Sequence, residues 1–587
     1  MIKSNALKTQ NRLDSLATPL ALLFLVMALL LCSFTIYMVF AMRWSGPFRD
    51  TWEFVAFNEA LFQGVLSWQE LFAAYGGAHR IVIPKLLFYG DFRFFHANNY
   101  LTCSLSLILQ ALSFCIYSHL LFKEKRITLP LKLALLTAVL FFLFSTTQLY
   151  NLLYAMDSQW FISTSCALLA FYFLFSASDI GVSTITICFT LALLAAFSNS
   201  TGLFIWPVLL TGCYLRGLSF TKLITLFLLC LCFVFAYTQQ LHIEDSPDAT
   251  IESSAYLFLS NLPATVFNML RYLGLYLSSP LSRNMPVFGW LLSAFFITYL
   301  LRFWMDCIFK KHRPGKTSLI AASLASYVVL AGLATSWGRM YYPNSSIAER
   351  FQTIALQFQL AMLLLLVVES KLFSAPRRVF LKTCCVISFP LIMLLPYQIE
   401  SAKEAATLSN RVYTSHTALV SGVTHIKAAR GTLSHPLLIN KVNMVQTHYQ
   451  FLKQEMLGPF NDWPAQLMDQ TLSMKTSTGC KGSIFSIERV SEADPYSGYK
   501  LKGRAINTQT EQPYKHLLIV DPDKNIIGLG RLDRKQGWLG LLEKQQPEKS
   551  TWTGFMPSSK PITKIEIYAL NNDKQTSCLI ARKQLPS

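Results

Sequence analysis

Acidic, basic and imidazole side chains sit beside long apolar runs in this sequence. Residues 43–98 follow the first run and carry Arg49-Asp50-Thr51-Trp52-Glu53, then Gly76-Gly77-Ala78-His79-Arg80-Ile81, then Gly90-Asp91-Phe92-Arg93. A carboxylate such as Asp50 near a membrane surface can act as general base toward an acceptor hydroxyl or amine. With Glu53 three residues on, Asp50 also has the spacing of a helix N-cap and its capping-box partner, and the two roles are compatible. His79 could donate to a leaving group or orient Asp50, and Arg80 and Arg93 could fork onto phosphate oxygens. Plainer roles exist for each: Lys85 or Arg93 reaching up to headgroups, Arg80 pairing with a local carboxylate.

Further along, Asp157 and Gln159 stand where an apolar run begins, and Asn199-Ser200-Thr201-Gly202 precedes Trp206-Pro207. Polar groups entering a span are costly in lipid and usually face a cavity, so these read as cavity-lining residues or as helix caps. Gly338-Arg339 ends one apolar run and Glu349-Arg350-Phe351 opens the next. Two arginines at a membrane boundary suit a lipid-linked phosphate or diphosphate; the plainer alternative is a Glu349–Arg350 surface pair and a snorkelling Arg339. The sequence holds no P-loop, dinucleotide glycine fingerprint, HExxH or strand-borne GxSxG. No nucleotide cofactor is expected.

The elements that must position these residues follow from composition. Of 587 residues, 53% are hydrophobic and 14% charged, against roughly a quarter charged in soluble proteins, which excludes a soluble cytosolic enzyme. Residues 1–396 hold 43 of the 83 charged residues and the last 191 hold 40. A membrane region therefore precedes a soluble one. Spans need roughly 20 apolar residues. About eleven candidates run near 16–42, 99–122, 129–147, 159–177, 180–197, 202–215, 219–238, 287–307, 317–336, 351–369 and 378–396. The sixth is short and contains Pro207, which reads as a broken helix. No cleavage site follows the first run, so it is expected to stay as a span.

Lys3, Lys8 and Arg12, then Lys123, Lys125 and Arg126, Arg216 and Lys222, Lys310 to Lys316, and Lys371, Arg377 and Arg378 all fall on one side. The positive-inside rule makes that side cytoplasmic and explains much of the +19 net charge without nucleic acid. Arg80, Arg93, Arg339 and Arg350 are exceptions on the opposite, outer side, which also receives 11 of the 16 acidic residues before 397.

Of 13 cysteines, 11 lie in apolar spans and read as small buried hydrophobes. Cys480 and Cys578 lie in the tail and read as a disulfide in an oxidising compartment. Residues 399–470 carry helical patterning; from about 480 short alternating strands suggest a β-sandwich. Trp538, Trp552 and Phe555 read as sandwich core, with a sugar-stacking platform as the alternative.

Taken in order, these motifs resemble the GT-C class of membrane glycosyltransferases, and more narrowly a group of bacterial multi-pass proteins. The carriers are Asp50/Trp52, His79/Arg80/Ile81, Asp91/Arg93/Phe94, Gly338/Arg339 and Glu349/Arg350/Phe351. Two departures stand out: a paired acidic motif is reduced to Arg49-Asp50, and Phe351 replaces a tyrosine. The resemblance implies a polyprenyl-phosphate sugar donor, transfer on the outer face, and the first-loop Asp as base or metal ligand.

The expectation is thus an α-helical polytopic membrane protein with about eleven spans, followed by an α+β periplasmic region ending in a β-sandwich. Its domains would be 1–396, a GT-C-like membrane domain whose loop 43–98 carries interfacial helices, 397–479, a helical connector, and 480–587, the sandwich. It would lie in a bacterial inner membrane with the N-terminus cytoplasmic and the C-terminal domain periplasmic, in contact with membrane lipids. Asp50 and His79 would be catalytic; Arg80, Asp91, Arg93, Asp157, Gln159, Arg339 and Arg350 would bind the sugar donor and a glycan or lipid acceptor. A divalent metal is compatible with this and its ligands are open. A transporter or flippase of a lipid-linked or anionic solute, or a non-catalytic glycan-binding scaffold, are the rival readings.

Overall fold

A computed structural model describes residues 2–75, 79–239, 260–274, 286–310, 312–339, 349–370, 373, 378–433, 442–491, 496–533, 550–558, 562–571 and 573–585. The chain divides into two compact units. One comprises residues 1–41, 68–86 and 103–401; the other comprises 42–67, 87–102 and 402–587.

The first unit is helical. Among the described residues nine helices are long and apolar enough to cross a membrane, from Leu13–Met42 to Val379–Val420. The expected fifth and sixth spans form shorter helices, Val182–Ala196 and Ser200–Leu215. Fifteen or sixteen residues at about 1.5 Å each fall short of a 30 Å hydrocarbon layer, so of the roughly eleven expected spans these two are shorter than a full crossing, the second being the one expected to be broken at Pro207. Leu129–Leu153, Ala155–Ser176 and Gln352–Glu369 are mostly buried by neighbours, whereas Leu13–Met42, Phe220–Thr238 and Gly289–Phe309 expose most of their apolar length. Exposed Leu and Phe along a whole helix are what a lipid-facing element requires.

Polar side chains tie the central helices together. Asn151 donates to Thr353 Oγ1 at 2.9 Å, and Thr353 donates to Gln148 Oε1 at 3.1 Å. The backbone break at Ser145–Gln148 is closed by Gln398, whose Oε1 accepts from Thr146 N at 2.7 Å and whose Nε2 donates to Ser145 Oγ at 2.8 Å. Such groups satisfy backbone atoms that lipid could not.

The helix ends gather in two sets. In one, His79 meets Ser200, Arg80 meets the carbonyl of Tyr237, Gln159 meets Asn199, and Asn151 meets the carbonyl of Arg350. In the other, Glu369 pairs with Arg126 and His312, Arg216 donates to the Ala177 carbonyl and Lys316 to that of Ser176. This is the parity of successive helices that cross up and down, and the second set carries the basic loops.

Among the described residues the second unit has nine strands: β1 Lys475–Thr476, β2 Cys480–Arg489, β3 Gly498–Asn507, β4 Gln512–Pro513, β5 His516–Val520, β6 Ile526–Leu532, β7 Trp552–Pro557, β8 Lys564–Leu570 and β9 Thr576–Gln584. They form one sheet in the order β1-β9-β8-β5-β6-β7-β3-β2, with β4 on β3. Every pairing is antiparallel except β1 with β9. A disulfide between Cys480 and Cys578 ties β2, at one end of the path, to β9 near the other. The two-sheet sandwich is therefore corrected to a single sheet curled on itself. Alternation along a strand is the same for both, because either form has one inner and one outer face.

Leu517 and Ile519 of β5 face a core with Leu501, Trp552, Ile565 and Ile567, and partly buried Ile484 and Ile580 from β2 and β9 complete it. Leu518 and Val520 face the opposite way. They pack with Leu419, Leu433, Val445 and Leu452 from helices Val379–Val420, Ile426–Leu433 and Val442–Gln454, and with Trp52, Val55 and Phe92. This second core explains why 42–67 and 87–102 belong with the tail. The expected domain limits differ accordingly: the loop 43–98 is shared between units, and the break near 397 falls inside the continuous helix Val379–Val420. Trp552 and Phe555 are both buried, so they fill cores and offer no sugar platform; Trp538 lies outside the described residues.

Candidate functional site

In the first unit, three of the expected residues come together. Gly338 ends the helix Lys316–Gly338, and Arg339 follows it. Arg350 sits in the turn Glu349–Phe351 that leads into Gln352–Glu369. Both guanidinium groups lie over the ring of Phe351, at 5.1 and 5.6 Å from its centroid, which bounds their separation at about 11 Å. Phe351 is 1% exposed and packs against Trp160 at 5.5 Å and Tyr272 at 5.0 Å. An aromatic face stabilises a cation within about 6 Å, and here one ring serves two. Phe351 thus acts as a platform for both guanidinium groups.

His79 belongs to the same cluster. Its backbone bridges to Tyr75 and its Nδ1 lies 2.6 Å from Ser200 Oγ. Burial first, then the positive charges of Arg339 and Arg350, push its pKa down to about 4. At neutral pH the ring is therefore uncharged. In the tautomer in which Nδ1 accepts from the Ser200 hydroxyl, the ring proton is on Nε2, available as a hydrogen-bond donor.

Ser200 is placed by a close approach of backbone. A Cβ on Gly202 would stand 2.3 Å from the Ala195 carbonyl carbon, so only glycine lets this turn lie against the end of Val182–Ala196. Asn199 caps the turn by accepting from Thr201 N at 3.0 Å, and donates to Gln159 Oε1 at 2.7 Å. Asn151 donates to the Arg350 carbonyl at 3.2 Å and fixes that turn. Gln159 therefore supports the Ser200 turn. Asp157, 1% exposed, occupies the N-cap position of Ser158–Ser176 without a side-chain capping bond.

Other expected residues have structural roles. Arg80 donates from Nε to the Tyr237 carbonyl at 2.7 Å, from Nη1 to the Phe72 carbonyl at 2.5 Å and from Nη2 to the Gln239 carbonyl. It closes the C-terminus of Phe220–Thr238, where a cation meets both orphan carbonyls and the helix dipole, so its fork is not turned to a phosphate. Lys85 does the same for Trp68–Phe72, with Nζ on the carbonyls of Glu70, Leu71 and Ala73 at 2.9 to 3.2 Å. It does not reach to headgroups. Burial, helped by Arg80, lowers its pKa to about 8.

In the second unit, Asp91 is 2% exposed and accepts from Asn99 N at 2.7 Å and Leu101 N at 2.8 Å. These are the orphan donors at the start of Tyr100–Lys123, so Asp91 is a remote N-cap and no ligand contact. Burial raises its pKa to about 6 against the opposing pull of those amides and of Arg43. The folded chain thus holds this proton more tightly than the unfolded one, whose Asp titrates near 3.9. The stability from the neutral carboxyl is fully present below about pH 4 and is lost as pH rises through 6. Its size is on the order of 2 to 3 kcal/mol. We expect Asp91→Asn to be less stable and to lose the slope of thermal midpoint between pH 4.5 and 7; an unchanged slope would show another group titrating.

Arg93 is exposed, with its guanidinium 5.7 Å from the ring of Phe62. Asp50 lies half-buried in the short turn Arg49–Trp52. The capping box expected of Asp50 and Glu53 does not form. Phe48 is the N-cap residue, and Thr51 Oγ1 accepts from its amide at 2.6 Å. Arg49, immediately before Asp50, has φ of 51°. A left-handed arginine costs about 1 kcal/mol or more and is kept only where its surroundings demand it.

A divalent metal does not fit these residues. Among the described residues no three His, Cys, Asp or Glu side chains gather, and the neighbour of Asp50 is a cation. The sequence marked Asn199 and Ser200 as a polar turn, cavity-lining or capping, and the cap is what Asn199 forms, while Asn151 had no role there. Their signal was the rarity of amides and hydroxyls in apolar surroundings. Comparison with protein-family models, curated proteins and solved structures returned no match.

Proposed function

We propose that the protein is a membrane glycosyltransferase that moves a sugar from a polyprenyl-phosphate-linked donor to a glycan or lipid acceptor of the cell envelope. The observation that carries this reading is the pair Arg339 and Arg350 on one aromatic ring, with His79 in their field, at the ends of span-forming helices. Two like charges held near each other at the ends of span-forming helices suit an anion, and a lipid-borne phosphate is one met at a membrane surface. We place this rim on the periplasmic face of a bacterial inner membrane, since the basic loops gather at the other rim.

In the proposed reaction the acceptor oxygen attacks the anomeric carbon as the bond from that carbon to the phosphate oxygen breaks. The electron pair leaves with the polyprenyl phosphate, whose growing charge is neutralised by Arg339 and Arg350 and receives a hydrogen bond from His79 Nε2. A ring with pKa about 4 is a poor proton donor at pH 7, so His79 serves as a neutral hydrogen-bond donor. Asp50 belongs to the other unit and enters through the resemblance alone, as the group that takes the acceptor proton. In reconstituted vesicles we expect Asp50→Asn to lower transfer by roughly 100-fold or more. Activity that persists at the wild-type rate would remove Asp50 from the chemistry.

A further inference from the structure

The second unit contains a groove of about 830 Å³ that neither the motifs nor the proposed reaction uses. One wall is the helix Val379–Val420 near its end together with Ile426–Leu433; the other is β2 and β3. Arg411, Lys427, Arg430, Arg489 and Lys500 line it, against one carboxylate among the described residues, Glu488. Among the described residues none of these five cations is held in an ion pair. Arg411, Lys427, Arg430 and Arg489 are exposed.

The walls are rigid. A Cβ on Gly431 would stand 2.3 Å from the Arg411 carbonyl oxygen, and Gly431 N donates to Ser415 Oγ at 2.9 Å, so the two helices cross in backbone contact beneath the charges. Arg489 and Lys500 are fixed by the β2–β3 ladder, where Arg489 pairs with Tyr499 and Glu488 with Lys500. Cations spread over separate elements suit a ligand whose negative charges are spaced along its length. The uncharged polar lining, Asn410 and Thr414, suits hydroxyl groups, with the Thr414 oxygen, whose proton goes to the Asn410 carbonyl at 2.8 Å, as an acceptor. Among the described residues one aromatic, Phe555, lines the groove and is 2% exposed, so these residues offer no stacking surface for bases.

We propose that this groove binds an acidic glycan, a chain of sugars that carries carboxylate or phosphate groups. Arginine forks would take the anionic groups, and the amide and hydroxyl the neutral ones. The proposal deepens the reading of the protein as a glycosyltransferase by naming its acceptor class, and it rests on that reading for the word acceptor only.

The test is binding without any donor, so that it stands apart from transfer. Full-length protein in detergent is titrated calorimetrically with an oligogalacturonate of a few residues and with a neutral maltooligosaccharide of the same length. Expected are preference for the acidic chain by tenfold or more, weakening as salt is raised, and a further loss of tenfold or more in Arg411→Gln/Arg489→Gln. Lys427→Gln/Arg430→Gln, on the other helix, should act alike if the first pair fails to fold. Equal affinity for both sugars, no binding of either, or unchanged binding in the folded variants would overturn the proposal. So would variant-sensitive capture of phosphatidylglycerol vesicles by a protein that ignores the oligogalacturonate, which would make the groove a membrane-docking surface.

Discussion

Arg350→Gln should lower sugar transfer from a polyprenyl-phosphate donor by roughly 100- to 1,000-fold, the usual cost of removing one preorganised group that stabilises developing charge. Arg339→Gln should behave alike, and the double variant should lose little more than either, because the two act on one phosphate. The same geometry makes an opposite prediction for stability. Two guanidiniums within about 11 Å repel each other, and in the proposed reaction the donor phosphate relieves that repulsion. Arg350→Gln should therefore leave the thermal midpoint of the ligand-free protein in place or raise it, and abolish the rise produced by adding polyprenyl phosphate. Arg350→Lys should recover only part of the activity, since a point charge neither stacks on Phe351 nor forks. A variant that loses stability and activity together would assign Arg350 to the scaffold.

The second large effect concerns the sheet. Cys480 and Cys578 are 98 residues apart in sequence, and a bond across so long a loop restricts the unfolded chain strongly. The chain-entropy value is about 4 to 5 kcal/mol, an upper figure. Without the bond, β2 is held through β3 alone in the order of pairing, and the curled edge can open. Cys480→Ser/Cys578→Ser should thus become protease-sensitive within 480–585 at a urea concentration that leaves the oxidised wild type intact. Dithiothreitol should bring the wild type to the same sensitivity and leave the variant unchanged. Equal resistance of reduced and oxidised wild type would show that strand pairing alone closes the sheet.

Much of the helical unit is legible in the sequence because a span is a local property: about twenty apolar residues with few charges. The two short helices follow the same logic, and Pro207 already marked one of them. Arg339, Arg350 and His79 stand out in the sequence as polar groups at span ends with plainer roles open to them, and that they meet around Phe351 is visible only in the fold. Arg80, Lys85 and Asp91 were not separable from them. A cation near carbonyls and a carboxylate near amides perform capping with the same atoms that bind ligands, and only the tertiary path decides which helix end approaches. The path is equally decisive for Trp552, whose aromatic face reads the same whether it stacks on sugar or fills a core. Alternation in 480–587 gave the strands but could not say whether β2 and β9 would lie in different sheets or at two ends of one. The basic groove escaped because its charges come from positions 411 to 500, on four elements, and no local window contains them.

The shared core of the second unit sets an order of assembly. Trp52, Val55 and Phe92 are made early, yet the strand residues they pack against, Leu518, Val520 and Tyr568, emerge more than 400 residues later. At about 5 to 20 residues per second, the ribosome needs on the order of half a minute to a minute and a half to supply them. For most of that interval their other tail partners, Leu419, Leu433, Val445, Phe451 and Leu452, are also unmade, so the apolar faces of Glu53–Phe62 and Val82–Phe95 wait uncovered by the tail. Nascent chains halted before residue 400 should therefore hold these two helices on lipid or on a chaperone, and complete synthesis should release them into the fold.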